Sequence, residues 1–273
     1  MTIIIYGKGG VGKSTFSTHL SVCLSKMGKS VLLIGCDPKT DTSSRLISRE
    51  KVRTLIDLID MGLGGSACVS DLIVKTPSGV DVMETGGPEP GIGCSGRGVM
   101  SLCQILSRES ASSLEYDAIV FDVLGDLVCG GFVAPLRFAV ANNLYSFSSE
   151  EVASLYAVNN IAKVINQPYN GNIAPGGIVF NIRRKSAKTE MLEDFARRIN
   201  MGILSYIGYD PLIQEAEANE MTAIEYAPDS AVSREYFDIA GRMIRQFGEP
   251  PHGKPTPLSA SDFWAFVREH RKK

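Results

Sequence analysis

No apolar run in the 273 residues reaches the roughly 18 that a transmembrane helix needs. Lysine and arginine (28) fall just short of aspartate and glutamate (30), so the concentrated basic excess of a general nucleic-acid binder is missing. Neither a membrane nor nucleic acid is therefore expected as a partner. A basic n-region is also lacking, and a glycine-rich loop starts at Gly7, which points to the cytoplasm. In that compartment the six cysteines are expected as thiols or metal ligands rather than disulfides, although they form no Cys-x-x-Cys pair. Repeats, low-complexity stretches and linkers are absent up to about residue 248.

Strand-like and helix-like segments alternate, the order expected of a mostly parallel sheet flanked by helices in an α/β fold. Short β-branched or aliphatic runs at 2–6 and 30–34 suit buried strands, and further strands are expected at 80–83, 118–121, 143–147, 177–180 and 203–207. Helical patterns fill 13–27 and much of 100–108, 150–166, 188–199, 211–219 and 231–247. The reading is one domain, 1–273. In it 248–273 forms a C-terminal extension that packs on the domain or on a dimer partner. Proline and glycine break regular structure after 248, and 259–270 reads as a last helix whose Phe263, Trp264, Phe266 and Val267 cover a core.

Gly7-Lys8-Gly9-Gly10-Val11-Gly12-Lys13-Ser14 satisfies the P-loop pattern between an expected strand and helix. Its glycines let the backbone close around phosphates, Lys13 is placed to reach the terminal phosphates, and Ser14 to coordinate magnesium. Asp37 and Asp41 follow one hydrophobic run and Asp122 another, so their carboxylates can approach the magnesium or its waters. Gly125 can turn its N–H toward a γ-phosphate, which makes 122–125 a candidate switch. Lys8 resembles the extra lysine of deviant P-loops in dimeric ATPases, where it reaches a nucleotide across the subunit interface.

Cys94 and Cys129 stand apart from the other cysteines because glycines lie on both sides of Cys94 and follow Cys129, letting backbone N–H groups approach cluster sulfurs. Cys23, Cys36, Cys68 and Cys103 read as small structural thiols. Two cysteines are half of a four-thiolate 4Fe-4S site, which a two-fold dimer would complete on its axis. A four-cysteine zinc site is the chemical competitor, and spacing alone leaves both open.

Taken together, residues 7–14, 35–41, 86–98 and 122–135, with Leu155-Tyr-Ala-Val-Asn-Asn-Ile161, closely resemble the nitrogenase iron protein family over nearly the full chain. The resemblance implies a P-loop NTPase homodimer with MgATP in each subunit and one 4Fe-4S cluster per dimer, held by Cys94 and Cys129. It implies phosphate or magnesium contacts for Lys8, Lys13, Ser14 and Thr15, a first switch containing Asp37, Lys39 and Asp41, and a second at Asp122 to Gly125. Asp126 would position or activate water, while Asn181, Asp210 and Gln214 would surround adenine. Arg97 and Arg137 would face a separate nitrogenase-like catalytic protein, with a low-potential ferredoxin or flavodoxin as donor. The implied activity is ATP-dependent delivery of single electrons; the alternative is a partitioning or metal-delivery ATPase of the same P-loop group without redox activity.

The chain departs from the family pattern at Phe138-Ala-Val140, where a charged Glu-Asn-Lys is usual, at Gly208 for proline, at Val232 for glutamine and at Val82 for a cysteine. Docking and adenine contacts have drifted, so a nitrogenase-like reductase is expected. The family's members include reductases acting on dinitrogen, tetrapyrroles and sulfur compounds.

Overall fold

Aliphatic runs with no polar alternation demand cover on both faces, and that requirement organises the whole chain. A computed structural model describes residues 1–64, 67–88, 96–108, 114–124, 133–137, 143–167, 173–183, 189–247, 249 and 253–271. The chain begins β1 (Thr2–Tyr6), α1 (Lys13–Lys26), β2 (Val31–Gly35), α2 (Leu55–Asp60), β3 (Val74–Lys75) and β4 (Val80–Glu84). It continues through α3 (Gly96–Arg108), β5 (Ala118–Asp122), α4 (Ala134–Arg137), β6 (Asn143–Ser148) and α5 (Val152–Ile165). Last come β7 (Ala174–Ile182), α6 (Thr189–Arg198), β8 (Ile203–Gly208), α7 (Pro211–Ala218), α8 (Ala223–Tyr226), α9 (Ala231–Gln246) and α10 (Ala260–Arg271).

Among the described residues, eight strands form one sheet in the order β3-β4-β2-β5-β1-β6-β7-β8. The β3–β4 pair is antiparallel and the other pairs are parallel. The two-residue period of β1 sends Ile3 and Ile5 to the face covered by α1 and α9, and Ile4 and Tyr6 to the face covered by α3. Each of these four side chains is essentially inaccessible to water. The P-loop therefore leaves the carboxyl end of a strand fixed from both faces and by two neighbours.

His19 locks the first helix. Its Nδ1 lies 2.7 Å from the Thr15 carbonyl, while Nε2 lies 3.0 Å from the Ala223 N–H and must accept from it. Nδ1 therefore carries the proton of a neutral ring, and burial lowers the pKa to about 4.

A third apolar cluster joins α5, α6, β7 and α10. Phe263 and Phe266 have no exposed surface there and pack around Phe195, whereas Trp264 is 48% exposed beside Tyr156. Side-chain amides hold the proline-rich approach to α10. Asn159 exchanges two hydrogen bonds with the Leu258 backbone, and Asn166 and Asn200 donate to the Pro255 and Lys254 carbonyls.

The expected strands and long helices are present, with shifted ends. Helix α3 starts at Gly96 rather than 100, and β7 runs from Ala174 to Ile182 rather than 177–180. Within β7 the pairing slips beside Gly177 (φ +111), so its sequence carries no regular strand period. Truncating Phe266 to Ala should cost about 3–5 kcal/mol, read as a lower urea midpoint. An unchanged midpoint would show that α10 contributes nothing to the third cluster.

Candidate functional site

Gly7 leaves β1 pressed against β6: a Cβ there would lie 2.0 Å from the Phe147 carbonyl oxygen. Gly10 (φ +71) and Gly12 (φ +103) then turn the loop through left-handed backbone that side-chain-bearing residues avoid. Gly12 caps α1 without a side-chain hydrogen bond, so the first-turn N–H groups around Ser14 and Thr15 face the loop, as anion binding requires. Lys13 is nearly buried and its Nζ donates to the Lys8 carbonyl at 3.3 Å, laying the ammonium across the loop. This cradle fits a polyphosphate.

Asp122 ends β5, the strand next to β1, where it stands opposite Ile5, and is only 2% exposed. Its carboxylate accepts from Ser17 Oγ of α1 at 3.3 Å and Thr42 Oγ1 at 2.8 Å, while its carbonyl accepts from the Cys36 N–H at 2.9 Å. One buried carboxylate thus joins the P-loop helix to the segment containing Asp37, Lys39 and Asp41. Within that segment Asp37 Oδ1 accepts from the Lys39 N–H at 2.9 Å, and Thr40 adopts φ +56.

Glu84, at the end of β4, has no exposed surface and accepts from both the N–H and the hydroxyl of Ser43 at 2.8 Å. Burial raises its pKa from the ordinary 4.5 to about 8; the Ser43 bonds oppose the rise, and Asp122 and Asp41 add to it.

The other end of the loop opens on a cleft of about 170 Å³, lined by Thr15, Asn181, Gly208, Asp210, Gln214 and Tyr236 among others. Asn181 Nδ2 donates to the Val11 carbonyl at 2.9 Å. Asp210 caps α7 by accepting from the Leu212 N–H at 2.9 Å, and Tyr209 OH donates to Gln214 Oε1 at 3.0 Å. The three residues expected around adenine therefore share one cleft, each with an interaction inside the chain.

Lys8 Nζ lies 3.8 Å from Glu151 Oε2, and Arg183 Nη1 lies 3.8 Å from the other oxygen. Arg183 also donates to the Gly10 carbonyl. Arg97 is exposed on the first turn of α3, and Arg137 ends α4. Cys94, Cys129, Gly125 and Asp126 lie outside the described residues, as do 138–140. Of the other thiols, Cys23, Cys36 and Cys103 are buried, and burial pushes Cys23 and Cys103 up to about 12, which suits structural cysteines. Cys68 differs in being exposed.

Ser17, Thr42, Glu84, Glu151 and Arg183 join the site without having been singled out in the sequence. Glu84 had one visible signal, an ionisable residue closing a strand whose preceding two residues are apolar. The others meet the loop only through tertiary contacts.

A glycine cradle between β1 and α1, beside acidic strand ends at the carboxyl edge of a parallel sheet, defines a P-loop NTPase. Residues 1–272 match the model of 4Fe-4S iron sulfur cluster binding proteins, NifH/frxC family, and the chain belongs to that family. It is 42% identical over 246 residues to the nitrogenase iron protein of Methanospirillum hungatei, covering 89% of this chain and 87% of that one. Against nitrogenase iron protein 1 of Methanothermobacter thermautotrophicus the identity is 38% over 245 residues, 89% of each chain. Among solved structures, the cell division ATPase MinD of Pyrococcus furiosus superposes with a TM-score of 0.72 at 22% identity, covering 89% of this chain and 98% of that one. Cobyrinic acid a,c-diamide synthase of Mycobacterium smegmatis with bound ADP and magnesium gives 0.64 at 17% identity, covering 94% and 98%. These two likenesses concern the fold alone.

In the folded chain Glu84 keeps its proton up to about pH 8, whereas unfolding releases it above 4.5. Stability should therefore fall as pH rises through that window, by up to about 1.4 kcal/mol per unit from this group. Glu84→Gln should remove the slope in nucleotide-free protein, so urea unfolding at successive pH values should show the variant gaining on the parent toward pH 8. Parallel profiles would refute the buried proton.

Proposed function

We propose that the chain is the reductase component of a nitrogenase-like system, hydrolysing ATP to deliver single electrons to a separate catalytic protein. The observation that carries this reading is Asp122: its carboxylate joins α1 to the Thr42 segment, and its own strand continues in sequence toward Cys129. Family membership supplies the chemical class.

In this reading Lys13, Ser14 and Thr15 hold the phosphates and magnesium of ATP on the α1 N-terminus. Asp37, Lys39 and Asp41 sense the γ-phosphate side from the first switch, and Gly125 does so from the second. Asp126 orients the attacking water. Asn181, Asp210 and Gln214 border the adenine, with Gly208 widening the cleft where relatives carry proline. Two chains pair face to face, so that Lys8 reaches the partner's nucleotide and Cys94 and Cys129 from each chain supply four thiolates. A 4Fe-4S cluster held there supplies one low-potential electron at a time. Arg97 and Arg137 face the catalytic partner, and a low-potential ferredoxin or flavodoxin supplies the electron that replaces the one delivered. Residues 1–273 act as one domain, the 248–273 extension packing on its own core. ATP can drive this cycle only by binding two conformations unequally, and the Asp122 contacts are what its phosphates would rearrange.

The fold is equally that of partitioning ATPases, so iron is the discriminating measurement. Protein purified without oxygen should carry about four irons and four sulfides per dimer and a reduced-state EPR signal, all lost in Cys129→Ala. Iron-free parent protein, or full iron and signal in the variant, would refute the cluster assignment. Lys13→Ala should lower ATP hydrolysis by at least about 100-fold while leaving iron content intact.

A further inference from the structure

Glu84 lies where two segments with different tasks touch. Strand β4 pairs with β2 so that Glu84 stands opposite Gly35, the residue at which the chain enters the first switch. The approach is tight enough that a Cβ on Gly35 would lie 1.9 Å from Glu84 Oε2. That oxygen is buried with no hydrogen-bond partner, while Oε1 receives both donors of Ser43. Ser43 directly follows Thr42, the residue that binds Asp122.

Beyond Glu84 the backbone remains fastened to the same segment. The Thr85 N–H and hydroxyl donate to the Gly35 carbonyl at 2.9 and 3.1 Å, and the Thr85 carbonyl accepts from the Ile56 N–H at 3.1 Å. Gly87 abuts Pro38, so closely that a Cβ on it would lie 2.2 Å from the proline ring. Gly98 of α3 rests against Ile56 and the Gly86 carbonyl, where an added Cβ would meet atoms at 3.3 and 3.5 Å. The 35–43 segment, Glu84 to Gly87 and the first turn of α3 thus form one continuous packed unit.

We propose that Glu84 is a positioning residue that transmits the nucleotide state of the first switch, through Ser43, to the backbone at 85–87 and the start of α3. This deepens the reductase reading and rests on it, because those two stretches flank Cys94 in sequence. It adds a second line of coupling beside the covalent one from Asp122 to Cys129. A carboxyl oxygen that is buried and unpaired is costly to keep, so a displaced Ser43 leaves Glu84 with two oxygens to satisfy rather than one. Movement of the switch is thereby felt by β4 instead of being absorbed in the loop. The carboxyl is mostly protonated at neutral pH, since burial raises it to about 8, and glutamine reproduces its acceptor oxygen without charge.

Hydrogen–deuterium exchange of the full-length protein, with and without MgATP, tests this. In the parent, nucleotide should change exchange at 40–46 and, together with it, at 85–88 and 96–100. Glu84→Leu should keep the response at 40–46 and shrink the distant one by at least about fivefold, while Glu84→Gln restores it. Ser43→Ala, which removes one of the two donors, should shrink it by a smaller factor, and this variant decides the question should Glu84→Leu fail to fold. A distant response absent from the parent, unchanged in Glu84→Leu, or unchanged in Ser43→Ala where that variant must decide, would overturn the proposal. Exchange needs no iron. Failure of the cluster reading would instead appear as iron-free parent protein and leave this result standing.

Discussion

A carboxylate with almost no contact with water must be paired or hydrogen-bonded to persist, and at Asp122 that requirement ties the nucleotide site together. The P-loop helix supplies one hydroxyl through Ser17, the segment after β2 another through Thr42, and the Cys36 N–H holds the adjacent carbonyl. Losing either hydroxyl would leave the buried carboxylate with less compensation, at a cost of about 1–3 kcal/mol or more. The three segments consequently have reason to move together. A phosphate that recruits Thr42 or its neighbours away from Asp122 must replace what that carboxylate loses.

The sheet makes such a meeting point possible. Strands β2, β5 and β1 are adjacent and parallel, so Gly35, Asp122 and Gly7 all leave the sheet at the same edge. Chain reversal across an open parallel sheet opens its crevice at the carboxyl ends of the strands. Burial on both faces holds those ends rigidly, and the glycines remove the side chains that would otherwise fill the space. Where β6 passes the loop, the absence of a Cβ at Gly7 allows contact with the Phe147 carbonyl. The loop's shape therefore depends on a neighbouring strand as well as on its own glycines.

Much of this was legible in the amino acids because the strands are buried on both faces. Runs such as Ile3-Ile4-Ile5 leave no polar position to mislead, and the ends of β1, β2 and β5 bring the P-loop, Asp37 and Asp122 to one edge of the sheet. Helix α2, α4, α8 and strand β3 were not visible, being two to six residues long and too short for a period to emerge. The partners of Asp122 were hidden for a different reason. Ser17 and Thr42 are ordinary hydroxyl residues whose role exists only once α1 and the switch segment pack over β5. Of the positions expected to depart from the family pattern, Val82 and Val232 are buried within the core that covers α1. Gly208 instead borders the adenine-side cleft, where a Cβ would meet nothing within 4 Å, and can change that cleft's width without disturbing its neighbours.

The electrostatics around Lys8 argue for a loop held loosely on one side. Its ammonium and the Arg183 guanidinium share Glu151 at 3.8 Å each, with Lys8 39% and Glu151 43% exposed. Pairs this long and this open to solvent contribute at most about 1 kcal/mol and weaken further with salt. Lys13, by contrast, is nearly buried and laid over the loop, so its position is set before any nucleotide arrives. The two P-loop lysines are thus prepared differently: one is fixed by its own chain, and the other can leave Glu151 at little cost. In the proposed dimer that difference matters, because a lysine reaching across an interface must first be released from its own subunit. Arg183 would stay behind to keep Glu151 compensated, so Lys8 could cross without stranding a carboxylate.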